Sequence, residues 1–277
     1  MDKREGNRQN NLSMCIYLYC VTDKMPSLER IEKDFGAKVY SVSWNNLYAV
    51  VGSVPEDEFS KENLKKNLGD MEWLETRVRI HEGVIEGVMK NACVIPFKLA
   101  TLFNTEDNLK AMLEEYSLDI KTNLRDLEGK EEWGVKIYLS MEMLKDALLK
   151  QDEGLSAIDT EICSASAGKA FFLKKKKEGL LSTIINERIN GYGQDSFERL
   201  SKQSIRSCIN KILPKEVTER QEDMILNAAF LIEKEGVSSF VAVVDSLKMQ
   251  YHESGLFFDC TGPWPPYNFV SFQSSAI

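Results

Sequence analysis

A chain of 277 residues, 43% of them hydrophobic and 28% charged, has ordinary globular make-up and is long enough for roughly two domains. Its net charge of −8 argues against a general nucleic-acid binder, which would carry a basic excess. No apolar run approaches the ~20 residues that span a bilayer, and residues 1–13 are polar with no apolar signal core, so the expectation is a cytoplasmic protein with a disordered tail over 1–13 and no bilayer insertion.

Met14 to Val21 is a compact apolar run of strand formers, hence a strand. Ser27 can cap a short helix through Asp34, with Leu28 and Ile31 on one face and Gly36 as its stop. Val39 to Trp44 and Leu47 to Val51 flank Asn45-Asn46, residues that tolerate positive φ, which predicts a tight β-hairpin. Pro55 to Gly69 is charged and read as helical. Glu72 to Lys90 places Leu74, Val78, His81, Ile85 and Val88 on one helical stripe. Val94-Ile95-Pro96-Phe97 is too short for a helix and holds a proline, so it reads as an edge strand or extended connector. Glu106 to Leu127 is a further helix with Leu109, Met112, Leu113 and Tyr116 inward, and Gly129 to Glu132 reads as a linker.

Trp133 to Ser140 alternates Val135, Ile137 and Leu139 against Lys136, Tyr138 and Ser140, the period of a strand with one face buried. Met141 to Gln151 then predicts a helix and Asp152 to Cys163 a loop. A long helix follows over Ser166 to Ile189, interrupted at Gly191-Tyr192-Gly193, and another over Gln194 to Leu213, ended by Pro214. Met224 to Ile232 is an apolar strand. Val237 to Tyr251 is a helix with Phe240, Val241, Val244 and Leu247 inward, and Gly255 to Thr261 is the last strand. One further strand is placed around Glu216 to Arg220. The resulting order implies an α+β layer of ferredoxin-like kind for the second half. The expected division is an N-terminal α+β domain over 14–130 and a C-terminal domain over 131–277.

Catalytic constellations are not evident. Gly168-Lys169 stands before a helix, but a phosphate loop would need glycine where Cys163 stands and Ser or Thr where Ala170 stands. Lys174 to Lys177 form a run that spreads around its helix and reads as a solvated stripe, the alternative being contact with an acidic partner or RNA. His81 lies on an apolar stripe with no nucleophile or acid signature beside it, which favours a satisfied core histidine. The six cysteines are scattered without a CxxC pair and only two histidines are available, so no metal site is expected, and the cysteines read as small buried hydrophobes. No cofactor is implied. The alternative to a non-enzymatic protein is an α+β enzyme, or an anion- or nucleotide-binding module, using His81 or the 164–169 loop.

The C-terminal stretch is the most distinctive. Three of the seven prolines and one of the four tryptophans fall within Gly262-Pro263-Trp264-Pro265-Pro266-Tyr267. Each proline removes a backbone donor and holds its neighbour extended, so the chain leaves a strand and runs on as a stiff ribbon. Rigid aromatics on such a backbone suit recognition, because little freedom is left to lose on binding. Trp264, Tyr267 and Phe269, with Pro263, Pro265 and Pro266, are therefore candidate protein-interaction residues, and the same string reads equally as a closure of the core.

Several strings together resemble the gas vesicle GvpL/GvpF family: DCTGPWPPYNFV (259–270), HEGVIEGVMKNACVIPFKLATLF (81–103), IYLYCV (16–21), EWGVKIYLS (132–140) and SAGKAFFLKKKKE (166–178). They lie in the family's order and span residues 14 to 270. The resemblance implies two α+β domains, the second a modified ferredoxin-like fold. It implies a non-enzymatic gas vesicle protein, a minor structural component or assembly factor. Its partners would be the small hydrophobic shell subunit and other gas vesicle proteins. SASAG stands where the family commonly has a Gly/Pro-containing loop, so the resemblance leaves the F or L subtype open.

Overall fold

The computed structural model describes residues 13–36 and 38–272. The expected N-terminal tail lies, apart from Ser13, outside the described residues. The chain divides into two compact units, one running to Gly129 and resuming at Pro265, the other from Lys130 to Trp264. The second thus ends before the prolines at 265 and 266, where the sequence pattern extends it to 277.

In the first unit the strand β1 (Met14–Thr22) is followed by the helix α1 (Glu29–Phe35), the strands β2 (Val39–Trp44) and β3 (Leu47–Pro55), and the helices α2 (Lys61–Asn67) and α3 (Met71–Met89). Two-residue strands β4 (Ile95–Pro96) and β5 (Leu102–Phe103) and the helices α4 (Glu106–Glu115) and α5 (Ser117–Leu127) complete it. Every pairing is antiparallel, with β1 between β3 on one side and β4 and β5 on the other. Asn45 and Asn46 both take positive φ (48° and 65°), as the predicted hairpin requires. Residues Tyr17 to Thr22 are buried without alternation. Helices pack against the sheet, so this central strand has no solvent face and reads as an unbroken apolar run.

Along α3, His81, Ile85 and Val88 are buried as expected, while Val78 is exposed. The close approach to α1 runs instead through Gly83 and Gly87: a Cβ on Gly83 would collide with the Phe35 ring, and one on Gly87 would lie 2.7 Å from Ile31. The single helix expected over 106–127 divides at Tyr116, whose buried ring stands edge-on to Phe272 at 5.6 Å. The helical reading of 55–69 also shortens. Pro55 ends β3, and α2 begins only after Ser60, which accepts from the Asn63 N–H.

The second unit holds β6 (Lys130–Leu139), α6 (Met141–Gln151), α7 (Glu153–Ser164), α8 (Ala167–Ser201), β7 (Arg206–Ile209), α9 (Lys215–Thr218), β8 (Asp223–Glu233), α10 (Val237–Tyr251) and β9 (Leu256–Trp264). Its sheet is antiparallel in the order β7-β8-β6-β9, the ferredoxin-like arrangement. The expected linker residues 130–132 are strand, because Lys130, Glu131 and Glu132 pair with Glu233, Ile232 and Leu231. The expected loop 152–163 is α7, capped by Asp152 accepting from Leu155 N–H at 2.9 Å.

Helix α8 continues through Gly191 and Gly193 for 35 residues. Tyr192 packs against Tyr251 at 4.9 Å and Phe197 against Phe230 at 5.8 Å, and these contacts outweigh the modest helix cost of glycine. The strand placed at 216–220 is instead β7. Ile205 N–H donates to Leu231 O at 2.8 Å and Asn210 N–H to Asn227 O at 2.7 Å, so the end of the expected 194–213 helix is drawn onto the sheet. Val135, Ile137, Leu139, Phe230, Phe240, Val244 and Leu247 build the core, with Val241 only half-buried.

Of the six cysteines only Cys15 and Cys20 are buried, and Cys163 is exposed, which departs from the expected burial.

Candidate functional site

Strand β9 lies at the edge of its sheet, paired with β6 alone. Its pairing register with β6 shifts between Glu132 and Gly134, and Glu132 then meets Trp264. Gly262 sits so close to the neighbouring strand that a Cβ there would lie 2.8 Å from the Trp133 ring and 3.0 Å from the Glu132 carbonyl. Beyond it Pro263 is exposed and the Gly262–Pro263 peptide is cis. Trp264 keeps 42% of its surface exposed, and its indole N–H donates to Thr261 Oγ1 at 3.0 Å. The ring is thus fixed by its own strand while much of its apolar surface faces solvent.

The next residues belong to the first unit. Pro265 and Pro266 are buried, and two tight turns follow, Tyr267 N–H to Pro265 O at 2.7 Å and Phe269 N–H to Pro266 O at 3.2 Å. The Tyr267 ring is 36% exposed but its hydroxyl is tied down. It lies 3.0 Å from His81 Nε2 and donates to Glu82 Oε1 at 3.1 Å. His81 Nε2 also faces the Phe97 carbonyl at 3.0 Å, and Nδ1 faces Tyr17 Oη at 2.9 Å. A carbonyl only accepts, so Nε2 carries the ring proton and Nδ1 accepts from the Tyr17 hydroxyl. Tyr17 Oη in turn accepts from Ala100 N–H at 3.0 Å. Asn123 bonds both backbone groups of Ser271, at 2.7 and 3.1 Å, and Phe272 packs on Phe97 and Tyr116.

Electrostatics agree with a closed network around a neutral imidazole. Burial lowers the His81 pKa to about 4, against the weaker opposite pull of the Phe97 carbonyl. Burial raises the Tyr267 hydroxyl, reinforced by the neighbouring Glu82 carboxylate. Burial also raises the Glu82 carboxyl, partly offset by the hydrogen bond from Tyr267.

Of the candidate residues, Trp264, Tyr267 and Pro263 offer surface, while Phe269, Pro265 and Pro266 are buried. His81 is 2% exposed with both ring nitrogens hydrogen-bonded. The alternative site at 164–169 is the exposed start of α8: Gly168 and Lys169 face solvent, and the Ser166 side chain makes no capping bond. Among the described residues no group of three or more His, Cys, Asp or Glu could hold a metal ion, and no helix is long and apolar enough to cross a membrane. Tyr17, Glu82 and Asn123 are network members that periodicity does not single out. Their partners lie 64, 185 and 148 positions away, and no local pattern connects such distances.

Comparison with known proteins covers nearly all of the chain. The family model described as gas vesicle synthesis protein GvpL/GvpF matches residues 15–271. Gas vesicle protein L of a Streptomyces species is 26% identical over 232 residues, covering 84% of this chain and 83% of the relative. Gas vesicle protein F of Haloferax mediterranei is 23% identical over 265 residues, covering 94% and 95%. In fold, the crystal structure of GvpF from an Anabaena species superposes with a TM-score of 0.68 at 19% identity, over 95% of this chain and 100% of that one. GvpF from Microcystis aeruginosa gives 0.61 at 18% identity, over 93% and 99%.

Proposed function

This chain belongs to the gas vesicle GvpL/GvpF family, and from that premise we propose that it is a non-enzymatic structural component or assembly factor that binds the hydrophobic shell subunit in the cytoplasm as vesicles form. A subunit that excludes water from a gas-filled interior must be strongly apolar, and it would aggregate before incorporation. A partner that covers part of that apolar surface keeps it competent.

Trp264 is the observation that carries this reading. It is a large aromatic, 42% exposed, on an edge strand stiffened by prolines on both sides. Interfaces rest on a few such anchors, and a fixed ring loses little freedom on binding. The non-enzymatic part rests on His81, which is buried, neutral and fully hydrogen-bonded, and so has neither a free proton nor a free lone pair to offer a substrate.

Binding of purified shell subunit to wild type and Trp264→Ala tests the proposal. Loss of a central aromatic anchor costs about 2 kcal/mol, or about 30-fold in affinity. A half-exposed ring leaves folding stability within about 0.5 kcal/mol. Unchanged affinity, or a melting temperature that falls in step with affinity, would make Trp264 a packing residue and sink the proposal.

A further inference from the structure

The edge of the second sheet opposite β9 is β7, which pairs with β8 alone. Asn210 N–H donates to Asn227 O at 2.7 Å, in the same register that sets Cys208 against Ala229 and Arg206 against Leu231. Successive residues of an antiparallel ladder turn their backbone groups to opposite sides, so Arg206, Cys208 and Asn210 face β8. The N–H and C=O groups of Ser207 and Ile209 therefore point away from the sheet, two donors and two acceptors with no strand to meet them. Ile205, Ile209 and Ile212 are 55%, 63% and 43% exposed along this edge. Ser207 stands opposite Phe230 and Ile209 opposite Ala228, so Ile209 carries the apolar face of the core out to the open edge.

The edge also reverses the sign of the molecule. The net charge is −8, yet Ser201 to Lys215 holds four bases and no acid. Lys215 is committed to Asp223 at 3.2 Å. Lys202 and Lys211 are exposed, one before β7 and one after it, and make no ion pair among the described residues. Asn227 to Leu231, the stretch of β8 beside β7, carries no charge, and Glu132, the acid whose field reaches Cys208, is buried. Cationic side chains guard a sheet edge against pairing with its own kind: an antiparallel second β7 would bring Lys202 of one copy near Lys211 of the other. That guard does not cover the open backbone groups or the isoleucines, which stay available to a strand of opposite charge.

We propose that β7 is a strand-addition site, which takes an extended aliphatic segment of a partner protein with acidic residues at both ends of that segment. The segment's backbone bonds Ser207 and Ile209, its alternate aliphatic side chains cover Ile209, and its acids meet Lys202 and Lys211. Main-chain bonds supply the affinity, and the flanking charges select the partner. The site lies at the opposite edge of the sheet from Trp264 and does not depend on what Trp264 meets.

Fluorescence anisotropy with the full chain tests this, using capped peptides of alternating valine and threonine that carry either aspartates or lysines at both ends. The aspartate peptide is expected to bind, and to bind more weakly near 1 M salt, where screening acts over about 3 Å. The lysine peptide is expected not to bind. Nor should an aspartate peptide that is N-methylated throughout, because it lacks the donors a ladder needs. Ile209→Pro removes an outward donor and no bond to β8, a place where an edge strand tolerates proline. It should melt like wild type and bind the aspartate peptide about tenfold more weakly. Lys202→Glu/Lys211→Glu should weaken the aspartate peptide about tenfold and admit the lysine peptide. The proposal is overturned if the aspartate peptide fails to bind at millimolar concentration, if both peptides bind alike, or if N-methylation leaves binding intact. An Ile209→Pro chain that melts and binds like wild type overturns it too. If that variant melts lower, the charge-reversed chain decides, and an unchanged preference for the aspartate peptide overturns the proposal. Self-association abolished by Ile209→Pro, or displacement of the peptide by an RNA oligonucleotide, would give the edge a different occupant and overturn it as well.

Discussion

Between pH 6.5 and 4 the His81 imidazole takes up a proton in the unfolded chain and stays neutral in the folded one, where burial holds its pKa at about 4. Stability from this group is therefore complete above pH 6.5, falls as the pH drops toward 4, and levels off below that. The difference amounts to about 3 kcal/mol at the usual conversion. Denaturant unfolding at pH 7 and pH 4 is expected to show a steeper acid loss in wild type than in His81→Gln, by about that amount; equal slopes would mean that the ring is protonated in the fold. That His81 sits inside was legible from its place on an apolar helical stripe. That Tyr17 and Tyr267 would reach its two nitrogens was not, since one comes from a strand 64 residues before it and the other from a turn 186 residues after it. Trp264 and Phe269 show the same limit. Both belong to one aromatic string, yet one is 42% exposed and the other 5%. Nothing in the string separates them.

At the scale of elements, α8 is the clearest case of packing overruling local preference. Gly191 and Gly193 would be expected to interrupt a helix, but Tyr192 and Phe197 between and after them bury against Tyr251 and Phe230. Gly191 itself is exposed with open space around its Cα. Gly191→Ala is accordingly expected to stabilise the protein by about 0.5–1 kcal/mol, seen as a higher melting temperature. A lower one would mean that the helix needs a bend there. The hairpin at Asn45-Asn46 and the inward positions of β6, Val135, Ile137 and Leu139, were readable because each has a local cause, positive φ in one and residue spacing in the other. Tyr138, expected on the outward face, is instead buried at 4% exposure beneath Arg220, which lies 4.1 Å from its ring. The four-residue β7 was not, because so short an edge strand carries no periodicity and exists by virtue of its ladder to β8. Helix α7 did have a usable signal, the capping Asp152, hidden beneath small and polar residues that read as loop.

For the whole molecule, the return of the chain to its first unit after Trp264 has the widest consequence. Residues 265–272 bring Tyr267 to His81 and Glu82, Ser271 to Asn123, and Phe272 to Phe97 and Tyr116. Deleting residues from Pro265 onward is expected to loosen the first unit and spare the second. In hydrogen exchange, β1 and α3 should lose protection while β6 and β8 keep theirs. Equal protection everywhere would show that the segment is only an appendage. The sequence by itself determined the family, the α+β class, most helices and strands, and the stiff character of the proline-flanked segment, because each rests on residue type or short-range periodicity. Only the tertiary structure decided which end of that segment is surface and which is core, where β7 pairs, and which lysines face outward. Those depend on partners distant in sequence, and burial is a property of the packed whole.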